Sequence, residues 1–271
     1  MNVDHIQFEL RRRRLDEIFD FAITVLRNYP GLYIRFVLPA LILFVALNTL
    51  LIWPLREDLG DDWESLFFSW PNLALFAILI VEGSILRLPL LLINGRLLFQ
   101  ERVQGAEIRG DLRAVAGSYL GRVVILRNLL LLAFWPIFFL WPRSFFLPEV
   151  LALERTPGPQ VRARLENLTR RQSDRILGFR LVSLLLGLLF LIIGAYVYSE
   201  LRGIPGLDFG GWWFSAAFCF LSPVINLLFL VYSLFHNTAR FLFYIDTRSV
   251  LEGWDLEKML IKGMRESTGN R

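Results

Sequence analysis

"VAGSYLGRVVILRNLLLLAFWPIFFLWPRSFFLPEVLAL", residues 115–153, is the stretch whose reading decides the fold. A helix crosses a bilayer with about 20 mostly apolar residues, and this run is too long for a single crossing. Pro136, Pro142 and Pro148 break it near its middle and end, because proline has no N–H to donate and clashes with the preceding turn. The stretch therefore predicts a hairpin of two spanning helices, about 115–136 and 137–153, turning around 136–143. Read as one crossing, it would put the arginine-rich segment 155–175 on the opposite side from the other cationic loops.

On either side of this hairpin lie four further candidate spans, about 32–53, 72–98, 177–198 and 212–236. The chain of 271 residues is 55% hydrophobic with a mean hydropathy of +0.50, above the roughly 45–50% apolar share of soluble domains. An all-α integral membrane protein with six transmembrane helices is the expected fold class. The 29 Lys and Arg against 25 Asp and Glu leave a charge of only +4, which excludes nucleic acid as the expected partner. With the N-terminus inside, all cations but Arg56, Arg143 and Arg202 fall on or near the inner side, as retention of Lys and Arg in the cytoplasm requires. Both termini are then cytoplasmic.

Three amphipathic stretches flank and join the spans. In residues 15–29, Leu15, Ile18, Phe19, Ala22, Leu26 and Tyr29 recur at helical spacing opposite Asp16, Glu17, Asp20 and Asn28, the pattern of a helix lying in the interface. Residues 159–175 follow the turn signal "TPGP" and align Val161, Leu165 and Leu168. The third begins at "SVLE", Ser249 to Glu252, a capping box predicting a new helix from Val250. The domain reading is an interfacial lead over 1–31, a membrane domain over 32–239, and a cytosolic helix and tail over 240–271. Arg11 to Arg14 fix topology and face anionic membrane lipids. No cleavable signal follows them, so the first span is expected to act as a signal anchor.

The amphipathic lead, the proline-broken hairpin, the segment "LALERTPGPQVRARLENLTRRQSDRILGFRLV" and the close "FLFYIDTRSVLEGWDLEKML" together resemble a family of bacterial six-helix membrane proteins. That fold is similar to the membrane domain attached to some glycerophosphodiester phosphodiesterases. The positions that carry the likeness are Tyr244, Asp246, Arg248, Glu252, Gly253, Trp254 and Asp255. The resemblance implies a multi-pass protein of the bacterial inner membrane. It does not imply the hydrolase activity, which belongs to a separate barrel domain too large for this chain.

Two groups of polar residues stand out. Glu82, in "ILIVEGSILRLPL", falls near the bilayer middle, where a bare charge costs several kcal/mol. Arg87, Arg35, Arg127 or Arg180 is expected to pair with it, and the rival reading is a proton or substrate site. Asn48, Asn94, Asn128 and Asn226 are expected to hydrogen-bond between helices, and His236 to end the sixth span. The second group is a cytosolic lock in which Asp246, Glu252 and Asp255 pair with arginines of 162–175, Arg171 among them, with Arg248 at the junction.

No catalytic constellation, nucleotide motif or cofactor motif is present. The lone Cys219 excludes an internal disulfide and a thiolate cluster, and His5 and His236 do not complete a metal site with it. The acids Asp58, Asp61, Asp62 and Glu64 read as a solvated outer loop. The expected function is a non-enzymatic inner-membrane scaffold or accessory to other envelope membrane proteins. The alternative is a transporter or lipid-translocating protein that uses Glu82.

Overall fold

The computed structural model describes residues 13–55, 69–98, 103–128, 144–170, 172–202 and 222–253, and every regular element among them is helical. The first helix, α1 (Leu15–Asn28), buries Ile18, Phe19, Ala22 and Val25 along one stripe, as its apolar spacing dictates. It is followed by α2 (Pro30–Phe36) and α3 (Leu38–Ile52), which meet at Val37 with a bend of 46°. Pro39, in the first turn of α3, has no N–H for the carbonyl four residues earlier, so the helix breaks there.

Next comes α4 (Trp70–Leu97), started by the Ser69 hydroxyl, which accepts the Asn72 amide at 3.4 Å. α5 (Gly105–Tyr119) widens into a π-helical stretch over Leu120–Arg127. A short α6 (Leu147–Glu149) opens a second π-helical stretch, Val150–Glu154. Arg155 closes that stretch in the left-handed region at φ 51°, a conformation that costs a non-glycine residue about 1–2 kcal/mol. The chain continues through α7 (Gly158–Thr169), α8 (Ser173–Arg202) and α9 (Pro223–Glu252).

Three of these helices are long and apolar enough to cross a membrane: Trp70–Leu97, the Ser173–Gly194 part of α8, and Pro223–Glu252. α2 and α3 add a fourth crossing if the bent pair is one span. The described residues are thus all-helical, with the apolar helices of a membrane protein. The turn expected over 136–143 lies outside the described residues, as do Cys219 and the acidic loop. Within the expected span 137–153, the described helix starts only at Leu147.

The C-terminal expectations need correction. The helix of the sixth span does not stop at 236, and no new helix starts at Val250: one helix runs from Pro223 to Glu252. Phe241, Phe243, Tyr244 and Ile245 are all buried against the bundle, and that packing carries the helix through the polar residues that read as a junction. Ser249 is an interior residue, 1% exposed, and its carbonyl accepts from Gly253. The stop is Gly253 itself, at φ 67°, the left-handed closing residue that glycine supplies without strain.

α9 is the hub. It packs most extensively on α4, and also on α1, α8 and α3. A row of rings ties these elements together, with Phe19 stacked on Phe179 at 5.1 Å and Phe179 stacked on Phe243 at 5.0 Å. Each such pair contributes about 0.5–1.5 kcal/mol beyond burial. α8 approaches α9 closely because a Cβ on Gly194 would lie 2.4 Å from Leu228 Cδ1. Its other face turns Leu185, Leu189 and Ile192 outward. Since lipid is as apolar as leucine, packing of this kind and interhelical polar ties, rather than water exclusion, must hold the helices together.

Candidate functional site

The polar ties form three tiers. The first is Glu82, 6% exposed on α4, whose carboxylate accepts from Asn48 Nδ2 of α3 at 2.9 Å. This corrects the expected arginine pairing: among the described residues its hydrogen-bond partner is an amide. Arg87 lies one and a half turns on and faces α9, where its Nε donates to Asn237 Oδ1 at 2.6 Å. Arg35 is exposed, with its guanidinium 5.8 Å from the Phe36 ring. Arg127 ends the first π-helical stretch, within electrostatic reach of Arg87. Glu82 and these three arginines therefore do not form one site.

The second tier is a buried ion pair that the sequence reading missed. Arg240 of α9 and Glu149 of α6 are 2% and 0% exposed, with Arg240 Nε 2.9 Å from Glu149 Oε1. That approach is off the hydrogen-bonding axis; the directed bond is Nη2 to Oε2 at 3.1 Å. The guanidinium also lies 4.5 Å from the centre of the Phe145 ring, a cation–π placement. Around this pair stand Arg87, Arg127 and Arg180. Tyr119 donates to the Ser84 carbonyl at 3.1 Å, and the Ser84 hydroxyl reaches Asn128 Oδ1 at 3.2 Å. His236, expected to end a span, lies mid-helix against Phe179 and Tyr232, with ring centres at 5.8 and 6.1 Å.

The third tier occupies the charged end of the bundle. Glu154 accepts from Arg164 at 2.6 and 2.7 Å and from the Tyr244 hydroxyl at 2.5 Å. Arg164 also reaches Glu252, which in turn accepts from Arg248 at 2.7 Å. Arg175 donates to Asp246 Oδ2 at 2.9 Å, and the second oxygen of Asp246 accepts the Arg13 amide at 2.7 Å. These contacts join α7, α8 and Arg13, two residues before α1, to α9. Arg171 and Asp255 lie outside the described residues. Beside this network, Arg96 of α4 binds Glu107 and Asp111 of α5, and Arg155 binds Asp111 at 2.6 Å.

The electrostatics follow from these contacts. Burial raises the Glu154 carboxyl, but hydrogen bonds from Arg164 and Tyr244 and the Arg248 charge outweigh it and hold the group below its ordinary range. Asp111 is held low in the same way, with burial opposed by Arg96 and Arg155. A cavity of about 370 Å³ lies between the two networks, lined by Arg96, Asp111, Arg155, Tyr244 and Arg248 over an apolar floor that includes Leu92.

Chemically, the arrangement can hold helices together. Among the described residues, no three His, Cys, Asp or Glu side chains converge as metal ligands. Of the four asparagines expected to bridge helices, Asn48 and Asn128 do so, and Asn94 Oδ1 accepts from Tyr33 at 2.5 Å. The Asn226 side chain makes no hydrogen bond among the described residues. Glu149 falls inside the stretch that the sequence predicts as the apolar hairpin and Glu154 just past its end, so the apolar run hides both. A carboxylate in "FFLPEVLALE" is as unusual as Glu82 and was the available signal. No family model, curated protein or solved structure matches the chain.

Proposed function

We propose that the protein is a non-enzymatic scaffold or accessory of a bacterial inner membrane, with both termini and the charged end of the bundle on the cytosolic side. Six spans are proposed: α2 with α3, α4, α8 and α9 supply four, and the hairpin expected over 115–136 and 137–153 supplies the other two. α1 and α7 lie along the interface in this reading, and membrane lipids and other envelope membrane proteins are the partners. The observation that carries it is the ionic network of Glu154, Arg164, Tyr244, Arg248 and Glu252 with the Arg175–Asp246 pair. Its charged groups are spent on one another across α7, α8 and α9, a use that fixes helix positions and leaves none of them as an open acid, base or nucleophile.

The experiment compares membranes with and without the protein, solubilised gently and resolved by native electrophoresis. A scaffold comigrates with other membrane proteins, and its deletion shifts their assemblies. Migration as a lone chain or homo-oligomer, with every other assembly unchanged on deletion, would sink the reading. Transport through Glu82 is the second reading, favoured by the burial of that acid on a spanning helix. It requires that Glu82→Gln abolish solute or lipid movement in proteoliposomes while leaving the fold intact.

A further inference from the structure

The cavity between the two ionic networks is graded in polarity. Its volume of about 370 Å³ falls within the roughly 300–1,000 Å³ of small-molecule sites. α9 lines it with Phe241, Tyr244, Ile245 and Arg248, the i, i+3, i+4 and i+7 positions of one helix face. α4 adds Leu92 and Arg96, one turn apart. The two helices run in the same direction: Arg87 bonds Asn237, and one turn earlier on each helix a Cβ on Gly83 would lie 3.7 Å from the Ser233 hydroxyl. At about 1.5 Å per residue, Arg96 stands about 6 Å nearer the charged end than Leu92, and Arg248 about 10 Å nearer than Phe241. The cavity is therefore apolar at depth and cationic toward the end of the bundle.

Each guanidinium that lines the cavity has a carboxylate partner, but the carboxylates are unevenly placed. Glu107, Glu154 and Glu252, which hold Arg96 and Arg248, stand outside the lining, and Asp111 is the carboxylate within it. Three guanidiniums and one carboxylate thus face the space. Arg155 is the most accessible of the three, with its side chain 56% exposed. Its bond among the described residues runs from Nη2 to Asp111 Oδ1, which leaves Nε and Nη1 able to donate to a ligand without releasing Asp111. Arg155 is also held at φ 51°, and backbone strain of this kind collects at ligand clamps.

We propose that this cavity binds an anionic phospholipid from the leaflet at the charged end. Arg155 takes the phosphate, beside Arg96 and Arg248, and the first carbons of an acyl chain lie over Leu92 and Phe241. Guanidinium groups match phosphate oxygens, and basic pockets between spanning helices suit acidic headgroups. Water or a free anion would leave the apolar depth unused, and an uncharged lipid would offer the guanidiniums no anion. The site gives chemistry to the membrane lipid named as a partner above and does not depend on scaffolding. Its test uses the isolated chain, whereas the scaffold test uses whole membranes, so either can fail alone.

The full chain is purified in a neutral detergent, stripped of lipid, and titrated with phosphatidylglycerol, phosphatidylcholine or diacylglycerol, bound copies being counted by native mass spectrometry. Inorganic phosphate is added as a competitor. Phosphatidylglycerol binds as one saturable copy, at least tenfold tighter than the other two lipids, and an equal concentration of inorganic phosphate does not displace it. Arg155→Gln weakens binding about tenfold to a hundredfold, the loss of one charge-assisted hydrogen bond. Leu92→Trp fills the apolar depth and abolishes binding, while Arg162→Gln, at an exposed arginine of α7 outside the cavity, leaves it unchanged. If Leu92→Trp does not fold, the contrast between Arg155→Gln and Arg162→Gln decides. The proposal is overturned by an absence of one-site binding, by equal binding of phosphatidylcholine or diacylglycerol, by displacement with equal inorganic phosphate, or by equal losses in the two arginine variants.

Discussion

Replacing Glu149 by glutamine should be among the most damaging single changes in the protein. It keeps the volume and removes the carboxylate facing Arg240 in a pair that is 2% and 0% exposed. Breaking a buried pair from one side costs about 3–5 kcal/mol, because the surviving charge is left uncompensated. Here Arg240 would also face Arg87, Arg127 and Arg180, so the upper part of that range is expected. Removing both charges is different: Glu149→Leu with Arg240→Met eliminates the uncompensated charge and keeps the core filled, and such replacements are often close to neutral. The assay is reversible unfolding in mixed micelles titrated with a denaturing detergent, in phosphate-free buffer, read by fluorescence of the eight tryptophans. A Glu149→Gln cost below about 1 kcal/mol, or a double variant as unstable as the single one, would refute the reasoning.

The other predictions concern the network and two glycines. Because Glu154 and Asp111 are held below their ordinary range, their stabilisation is complete above the unfolded values of about 4.3 and 3.9. It is lost as pH falls through the lower folded values; unfolding between neutral and acid pH should show this fall, and Glu154→Gln should make it shallower. A wild type equally stable across that window would contradict the assignment. Gly194→Ala puts a Cβ 2.4 Å from Leu228 Cδ1 and should cost about 1–3 kcal/mol by overpacking α8 against α9, measurable in the same detergent titration. Gly253→Ala meets nothing within 4 Å but sits at φ 67°, so its cost of about 1 kcal/mol is backbone strain alone. Gly253→Asn, which tolerates that region better, should recover part of it.

What the sequence shows and hides follows from the range of each interaction. The long apolar helices are visible because hydropathy is summed over many neighbouring residues, and the amphipathic spacing of Ile18, Phe19 and Ala22 already marks the stripe that α1 buries. The end of α9 is hidden because "SVLE" satisfies a local capping rule, while the packing of Phe241, Phe243 and Tyr244 that overrides it involves residues far along the chain. The same holds for Glu82. Arginines at reasonable depth are nearby in sequence, yet helix rotation sends Arg87 to Asn237 of α9 and gives Glu82 to Asn48 of α3. The Glu149–Arg240 pair bridges residues 91 positions apart, and no local pattern announces such a contact.

The claim on which the functional reading depends is that the charges at the end of the bundle act as ties between helices. Asp246, its side chain fully buried, and Arg175 at 2.9 Å are the pair to measure, through Asp246→Asn, Arg175→Gln and the double variant in one thermodynamic cycle. The account predicts a coupling of about 1.5–3 kcal/mol, with the second substitution adding little to the first. Effects that simply add, to within about 0.5 kcal/mol, would show that the pair ties nothing together and would contradict the account.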